Sequence, residues 1–433
     1  MRLTTEHQHV DIDTLDPASI DLFSPAFYAT GDPHGAWRAL RAKAPVHWQQ
    51  VDEERGFWSV TRYDDVCQVL RDFRSFSSEH GNLLTVLGTR DRAGGKMLAV
   101  TDPPRHTAIK RQINAYFSTA AIQRFEPQLR ELARRCVAPA AAGEPFDLAA
   151  ATAFYPIAFT ALLMGIDRAQ WARLKRFAYV AIADQDPGVT EGENGAEAAR
   201  RLERAHAEIF AYFMGEIGRG DFEDRDDLTG AVVRAQVDDR PLSREERMYN
   251  LYSVLLGATV TTSHAANAGV LAFVDDPEQF RRWQDDGTTD ALVEEVLRWS
   301  SPANHFLRHA LHDTEIGGVR IRQGEAVVVW LGSANRDESA FPDPYRFDVT
   351  RNPNKHIAFG VGAHRCIGAP MARLALKVFF EEVRDTVDHF EAAGPVEHLA
   401  SNFIAGIRSL PVRTVLKPGH AEALSALSPL TPA

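Results

Sequence analysis

The chain has 433 residues, 45% hydrophobic and 25% charged, the balance of a globular protein able to bury a sizeable core. A formal net charge of −11 argues against nucleic acid as a general partner, and three cysteines (Cys67, Cys136, Cys366) are too few for a disulfide framework and fit a reducing cytoplasm. Residues 1–30 are polar and acidic, without the apolar run of a signal peptide or a bilayer span, so no membrane anchor is expected.

Helical periodicity dominates. Apolar stripes predict helices over residues 36–42, 63–71, 105–117, 120–142, 156–164 and 197–217. Residues 46–51 and 57–61 flank Asp52-Glu53-Glu54-Arg55-Gly56 and read as a hairpin. Residues 184–197, rich in Gly, Pro, Asp and Glu, are the interior candidate for a mobile segment. Ser243 followed three residues later by Glu246 makes a capping-box pattern, and helical character then runs to about residue 274, before Asp275-Asp276-Pro277. At about 1.5 Å per residue this helix spans roughly 46 Å, enough to cross the molecule. Its middle, 254–266, is small or apolar nearly all round and should be buried. After residue 307 a meander turns at Gly317-Gly318 and Gln323-Gly324, separating strands over 319–321 and 326–331. A helix over 371–383 follows, and the Ala-, Pro- and Ser-rich residues after about 416 are expected to fray. The prediction is a mainly α fold with a small β region: one large domain, 23–415, between an N-terminal tail, 1–22, and a flexible C-terminal tail, 416–433.

The most informative stretch is Phe359-Gly360-Val361-Gly362-Ala363-His364-Arg365-Cys366-Ile367-Gly368, which puts one cysteine on a glycine-rich loop before a helix. The helix amides and dipole favour negative charge on sulfur and predict a lowered Cys366 pKa. A thiolate so held suits axial ligation of heme iron. The loop resembles the heme-binding signature of the cytochrome P450 family, with His364 at its basic position. Glu295-Val296-Leu297-Arg298 resembles that family's Glu-x-x-Arg pair. The same spacing recurs at Glu131/Arg134, Glu197/Arg200, Glu278/Arg281 and Glu381/Arg384; only Glu295 is followed in order by Pro302, Arg308, the meander, Asn335-Arg336-Asp337 and Phe341-Pro342-Asp343-Pro344.

The resemblance implies heme b (iron protoporphyrin IX), with Cys366 as the iron ligand and Phe359 and Gly368 beside it. It implies cationic or hydrogen-bonding contacts to the heme propionates from His106, Lys110, Arg308, His356 and His364. On the long helix, Gly257-Ala258-Thr259-Val260-Thr261-Thr262 aligns with the family's oxygen-activating segment. Thr261 matches its catalytic threonine, but Val260 stands where relatives carry an acid, and valine relays no proton. Family substrate contacts fall here on Leu83, Leu84, Val86, Leu87, Ala258, Asn304, His305, Phe306, Phe403 and Ile404, mostly apolar, as suits a hydrophobic substrate.

The implied activity is monooxygenation (hydroxylation, epoxidation or oxidative dealkylation) of a small organic molecule. The missing acid leaves open peroxide-driven oxidation, oxidative coupling, or a non-catalytic heme sensor. With no flavin or iron–sulfur motif in these residues, electrons are expected from an external ferredoxin or flavodoxin, steered by a basic face of Arg365, Arg373, Lys377 and Arg111.

Overall fold

The computed structural model describes residues 13, 15–184, 186, 195–220, 222 and 224–430. Most of the expected mobile segment, and all of residues 1–12 and 431–433, lie outside that set.

Five strands form the main sheet in the order Val46–Gln50, Gly56–Val60, Ala326–Trp330, His305–Ala310, Phe76–Ser77. The expected hairpin pairs Trp48 with Trp58, and Ala326–Trp330 runs parallel to Gly56–Val60 and antiparallel to His305–Ala310. Strand alternation sends Val327 and Val329 into one buried cluster and Ala326, Val328 and Trp330 into another, so both faces of the sheet are covered.

Helices make the rest. Predicted 63–71 is the helix Tyr63–Arg71; 105–117 is Arg105–Ile113 closed by a 3₁₀ turn, Asn114–Phe117. Predicted 120–142 is divided into Thr119–Gln123, Glu126–Val137 and the 3₁₀ segment Ala138–Ala142. The largest core cluster lies among Glu126–Val137, Thr261–Asp275, Thr289–Ser300 and Ala369–Thr386; a second lies among Tyr155–Met164, Gly195–Gly218 and Arg244–Thr259.

The long helix is a correction. Ser243 and Glu246 do form a reciprocal capping box, but the helix Arg244–Thr259 ends at Val260 (φ −114°, ψ −42°) and a second helix, Thr261–Asp275, begins. The cause is local: hydroxyls in the Thr259-Val260-Thr261-Thr262-Ser263 run bond back to helix carbonyls. Thr259 donates to Leu255, Thr261 to Gly257 (3.3 Å) and Ser263 to Val260 (3.1 Å), in competition with the regular amide ladder. The first half feeds the second cluster through Met248, Leu251 and Leu255; the second half feeds the main core through Val270, Leu271 and Phe273.

Both expected tails are shorter than the composition suggests. Leu22 is fully buried with Trp37 and Trp330. Residues 420–425 form the helix His420–Ser425, and Leu424 and Leu430 are 3% and 5% exposed in the main core. Two well-spaced leucines anchor an otherwise small-residue segment.

Candidate active site

Cys366 is fixed by its backbone. Its amide donates to the carbonyl of Phe359 (2.9 Å), while Gly360 donates to Ile357 (2.8 Å), folding the loop back on itself. Gly360 and Gly362 have φ +66° and +77°, conformations that L side chains rarely adopt, and a Cβ on Gly362 would lie 2.6 Å from the Leu70 carbonyl oxygen. Lys110 clamps the loop from the side, its Nζ donating to the carbonyls of Ala363 and Arg365, each at 2.8 Å. The helix Ala369–Thr386 starts three residues after Cys366.

The expected lowering of the Cys366 pKa is not what results for the free thiol. Burial pushes it up, and the amides of Gly368 and Ala369 with the charges of Lys110 and Arg365 only oppose that rise. An iron ion bound at the sulfur would deprotonate it outright.

Cys366 opens into a cavity of about 830 Å³ that also reaches Thr261, Ala258, His106, Arg308 and His364. The residues fit a porphyrin with two carboxylates. His106 Nδ1 is buried and has no hydrogen-bond partner among the described residues. Arg308 is only 3% exposed, and Nη1 donates to the carbonyl of Leu307 (2.8 Å). Burial pulls the Arg308 pKa down to about 10, with Asp102 the carboxylate that opposes this. Burial, then the charges of His364 and Lys110, pull His106 down to about 3. The rings of His106 and His364 lie 4.4 Å apart, and His364 Nε2 is 3.4 Å from Asp102 Oδ1. Asp102 already accepts from both Ser77 (2.5 Å) and Ser78 (2.7 Å) hydroxyls. One buried guanidinium flanked by two imidazoles is an environment that heme propionates would complete.

His356 falls outside this set. It does not line the cavity; its Nε2 is 3.0 Å from Glu294 and its Nδ1 accepts from the Ala358 amide (3.2 Å). Glu294 in turn holds Arg373 by two bonds, 2.6 and 2.8 Å, and Arg373 lies over the Phe359 ring at 4.7 Å. His356 thus supports the loop from behind. Arg373 and Lys377, the latter 2.9 Å from Asp290, are paired, so the expected basic face reduces to the exposed Arg365 and Arg111.

Glu295 and Arg298 stand apart from the other pairs of that spacing. Both are 0% exposed and bond at 2.8 Å twice; Arg351 adds a second guanidinium to Glu295 at 3.1 Å. Arg298 also donates to the carbonyls of Asn335 and Pro344, knitting helix Thr289–Ser300 to the segment before the Cys loop. By contrast, Glu278 and Arg281 are 69% and 65% exposed.

Of the expected substrate contacts, Leu83, Val86, Ala258, Phe306, Phe403 and Ile404 line the cavity, whereas Leu84, Leu87, Asn304 and His305 do not. The 3₁₀ turn Leu84–Val86 explains the first split: residues three apart eclipse, so Leu83 and Val86 face the cavity while Leu84 and Leu87 enter the core beside Trp330. Asn304 is buried, its backbone bridging Phe403 and Leu331 at 2.7 Å each. His305 accepts from the Leu84 amide through Nε2 (3.1 Å) and faces the Asn402 carbonyl through Nδ1 (3.0 Å), tying two wall loops together. Val260 is also off the cavity, packed with Ala183, Leu399 and Ile404. His206, Phe210 and Tyr252 line the wall without having been expected; only the four-residue spacing of His206 and Phe210 on one helix hinted at a shared face.

Fold and site together define a heme-thiolate protein. The cytochrome P450 family model matches residues 287–392. The chain is 32% identical over 418 residues to cytochrome P450 NovI of Streptomyces niveus, covering 92% of this chain and 98% of that one. It is 31% identical over 413 residues to linalool 8-monooxygenase of Pseudomonas putida (92% and 99%). A Mycobacterium marinum cytochrome P450 in complex with pseudoionone superposes with a TM-score of 0.83 at 31% identity, over 92% and 99% of the chains. The chain belongs to the cytochrome P450 family. It is a heme-dependent monooxygenase that uses O₂, a small organic substrate and a redox partner. Among the described residues no helix is long and apolar enough to cross a membrane.

Proposed function

We propose that this P450 oxidises a hydrophobic small molecule lodged in the cavity above Cys366, by hydroxylation, epoxidation or oxidative dealkylation. The observation that carries the reading is that one largely apolar cavity joins the Cys366 thiol, the Thr261 hydroxyl and a hydrogen-bonding wall of His106, Arg308 and His364, in which Arg308 carries the positive charge. Relatives named for linalool oxidation and solved with pseudoionone support the same substrate character. The bound heme supplies activation of O₂ by two electrons and two protons, so that one oxygen atom enters the substrate and the other leaves as water.

The chain's own groups have separable tasks. Cys366 Sγ would ligate the iron, with Phe359 and Gly368 shaping the space around it. His106, Arg308 and His364 would hold the propionates, while Lys110 braces the Cys loop through the Ala363 and Arg365 carbonyls. Thr261 sits at the helix break, where its hydroxyl carries a proton at Oγ1, and Thr262 lies next to it on the cavity wall. With Val260 turned away, those hydroxyls and a substrate hydroxyl replace the acid as proton carriers. Phe306, Phe403 and Ile404 exclude water.

Electrons come from a small acidic ferredoxin-type donor docking near Arg365 and Arg111. Cys67 and Cys136, buried and unpaired, agree with a reducing cytoplasm. The test is turnover of a hydrophobic compound library with NAD(P)H and a ferredoxin system. Oxygenated product supports the reading; product formed with peroxide alone, or none with any compound, contradicts it.

A further inference from the structure

The cavity wall two to three turns before Thr261 along the broken helix is aromatic and also polar. His206 and Phe210, one turn apart on Gly195–Gly218, pack on Tyr252 of Arg244–Thr259 with ring centroids 5.8 and 5.0 Å away. All three line the cavity. The Tyr252 hydroxyl and the His206 ring nitrogens have no hydrogen-bond partner among the described residues, and both residues are only half-buried. Their polar atoms therefore remain accessible, on a wall that also carries Asp91, Asn250 and Ser253. Both groups are neutral: burial, then Asp91 and Tyr249, push the Tyr252 pKa up, and burial pulls His206 down. Such a pair offers a phenol donor and an imidazole acceptor, without charge.

We propose that Tyr252 and His206 form a recognition point for a neutral oxygen function, a hydroxyl or carbonyl, at the far end of an otherwise apolar substrate. The proposal rests on the cavity being the substrate site and adds the substrate's polarity and reach. Tyr252 precedes Thr261 by nine residues, so at about 1.5 Å per residue the two lie roughly 13 Å apart along the helix direction. The oxygen function and the oxidised carbon are separated by a comparable length. An elongated molecule anchored at one end is thereby oxidised near the other.

The test uses undecane, undecanol and undecanoate as probes, titrated into the heme-loaded protein, with dissociation constants read from the shift of the heme absorption band. Tyr252→Phe, which keeps the ring, should weaken undecanol about 3- to 10-fold, the range of one net hydrogen bond, and leave undecane unchanged. His206→Phe should do the same, and a folded variant of either kind suffices. If both variants hold undecanol as tightly as the parent protein, the inference is overturned while the cavity reading stands. Undecanoate binding tighter than undecanol, with the gain lost in Arg92→Ala, also overturns it, moving recognition to Arg90 and Arg92 on the same rim. A heme band that responds to none of the three probes removes the cavity reading and the inference with it.

Discussion

Val260 and Ile404 share a buried apolar cluster, so the residue standing in for the family's distal acid faces a cavity-wall loop and not the cavity. An aspartate placed there would join Leu399, Ile404 and Ala183, where ionisation is costly. Val260→Asp should lower stability by about 2–4 kcal/mol, the scale for a buried unpaired polar group. It should not raise product formed per NAD(P)H consumed. Thermal melting and coupling efficiency check the two halves; a clear gain in coupling would show that proton delivery in this chain is incomplete.

Glu295, Arg298 and Arg351 form a buried network that holds the segment leading to the Cys loop. Removing one partner leaves an uncompensated charge, a loss of about 3–5 kcal/mol. Glu295→Gln should depress the melting temperature and the yield of heme-loaded protein strongly. Arg298→Lys should not rescue, because a single ammonium cannot reproduce the planar fork that meets Glu295 and two carbonyls at once. Glu278→Gln, at an exposed pair of the same spacing, should change stability by less than about 0.5 kcal/mol.

Glu294 predicts a pH dependence. Burial would raise its pKa, but hydrogen bonds from Arg373 and His356 outweigh burial and hold it at about 2, below the ordinary value of 4.5. A carboxylate depressed in the folded state stabilises fully above its unfolded pKa and loses that contribution as pH falls from about 4.5 towards 2. Chemical denaturation across that window should show a steeper loss of stability in the parent protein than in Glu294→Gln.

Arg365, on the Cys loop, and Arg111, next in sequence to the Lys110 that clamps it, are exposed, whereas Arg373 and Lys377 are paired. Reversing both to Glu should slow reduction by an acidic ferredoxin about tenfold at low ionic strength, with the difference shrinking as salt is added. Stopped-flow reduction under CO measures this, and unchanged rates would place the docking face elsewhere.

Much of the site was legible because its chemistry is written locally. The Cys loop needs glycines where φ is positive, and the order of motifs after Glu295 singled out a fully buried pair among several of equal spacing. What escaped depends on neighbours distant in sequence. Leu83 and Leu87 look alike, and only a 3₁₀ turn separates the cavity face from the core face. His356 reads as a propionate ligand until Glu294, 62 positions earlier, occupies its Nε2. The helix break followed from hydroxyls of residues whose apolar surroundings alone read as continuous helix. Leu424 and Leu430 show that a segment poor in hydrophobic residues can still dock when two of them meet a groove in the core.

The most direct measurement is the carbon monoxide difference spectrum of the dithionite-reduced, heme-loaded protein, set beside that of Cys366→Ala. The parent protein should give the band of thiolate-ligated heme, and the variant should lose it. An unchanged spectrum in Cys366→Ala, or a protein that takes up no heme, would contradict Cys366 as the iron ligand.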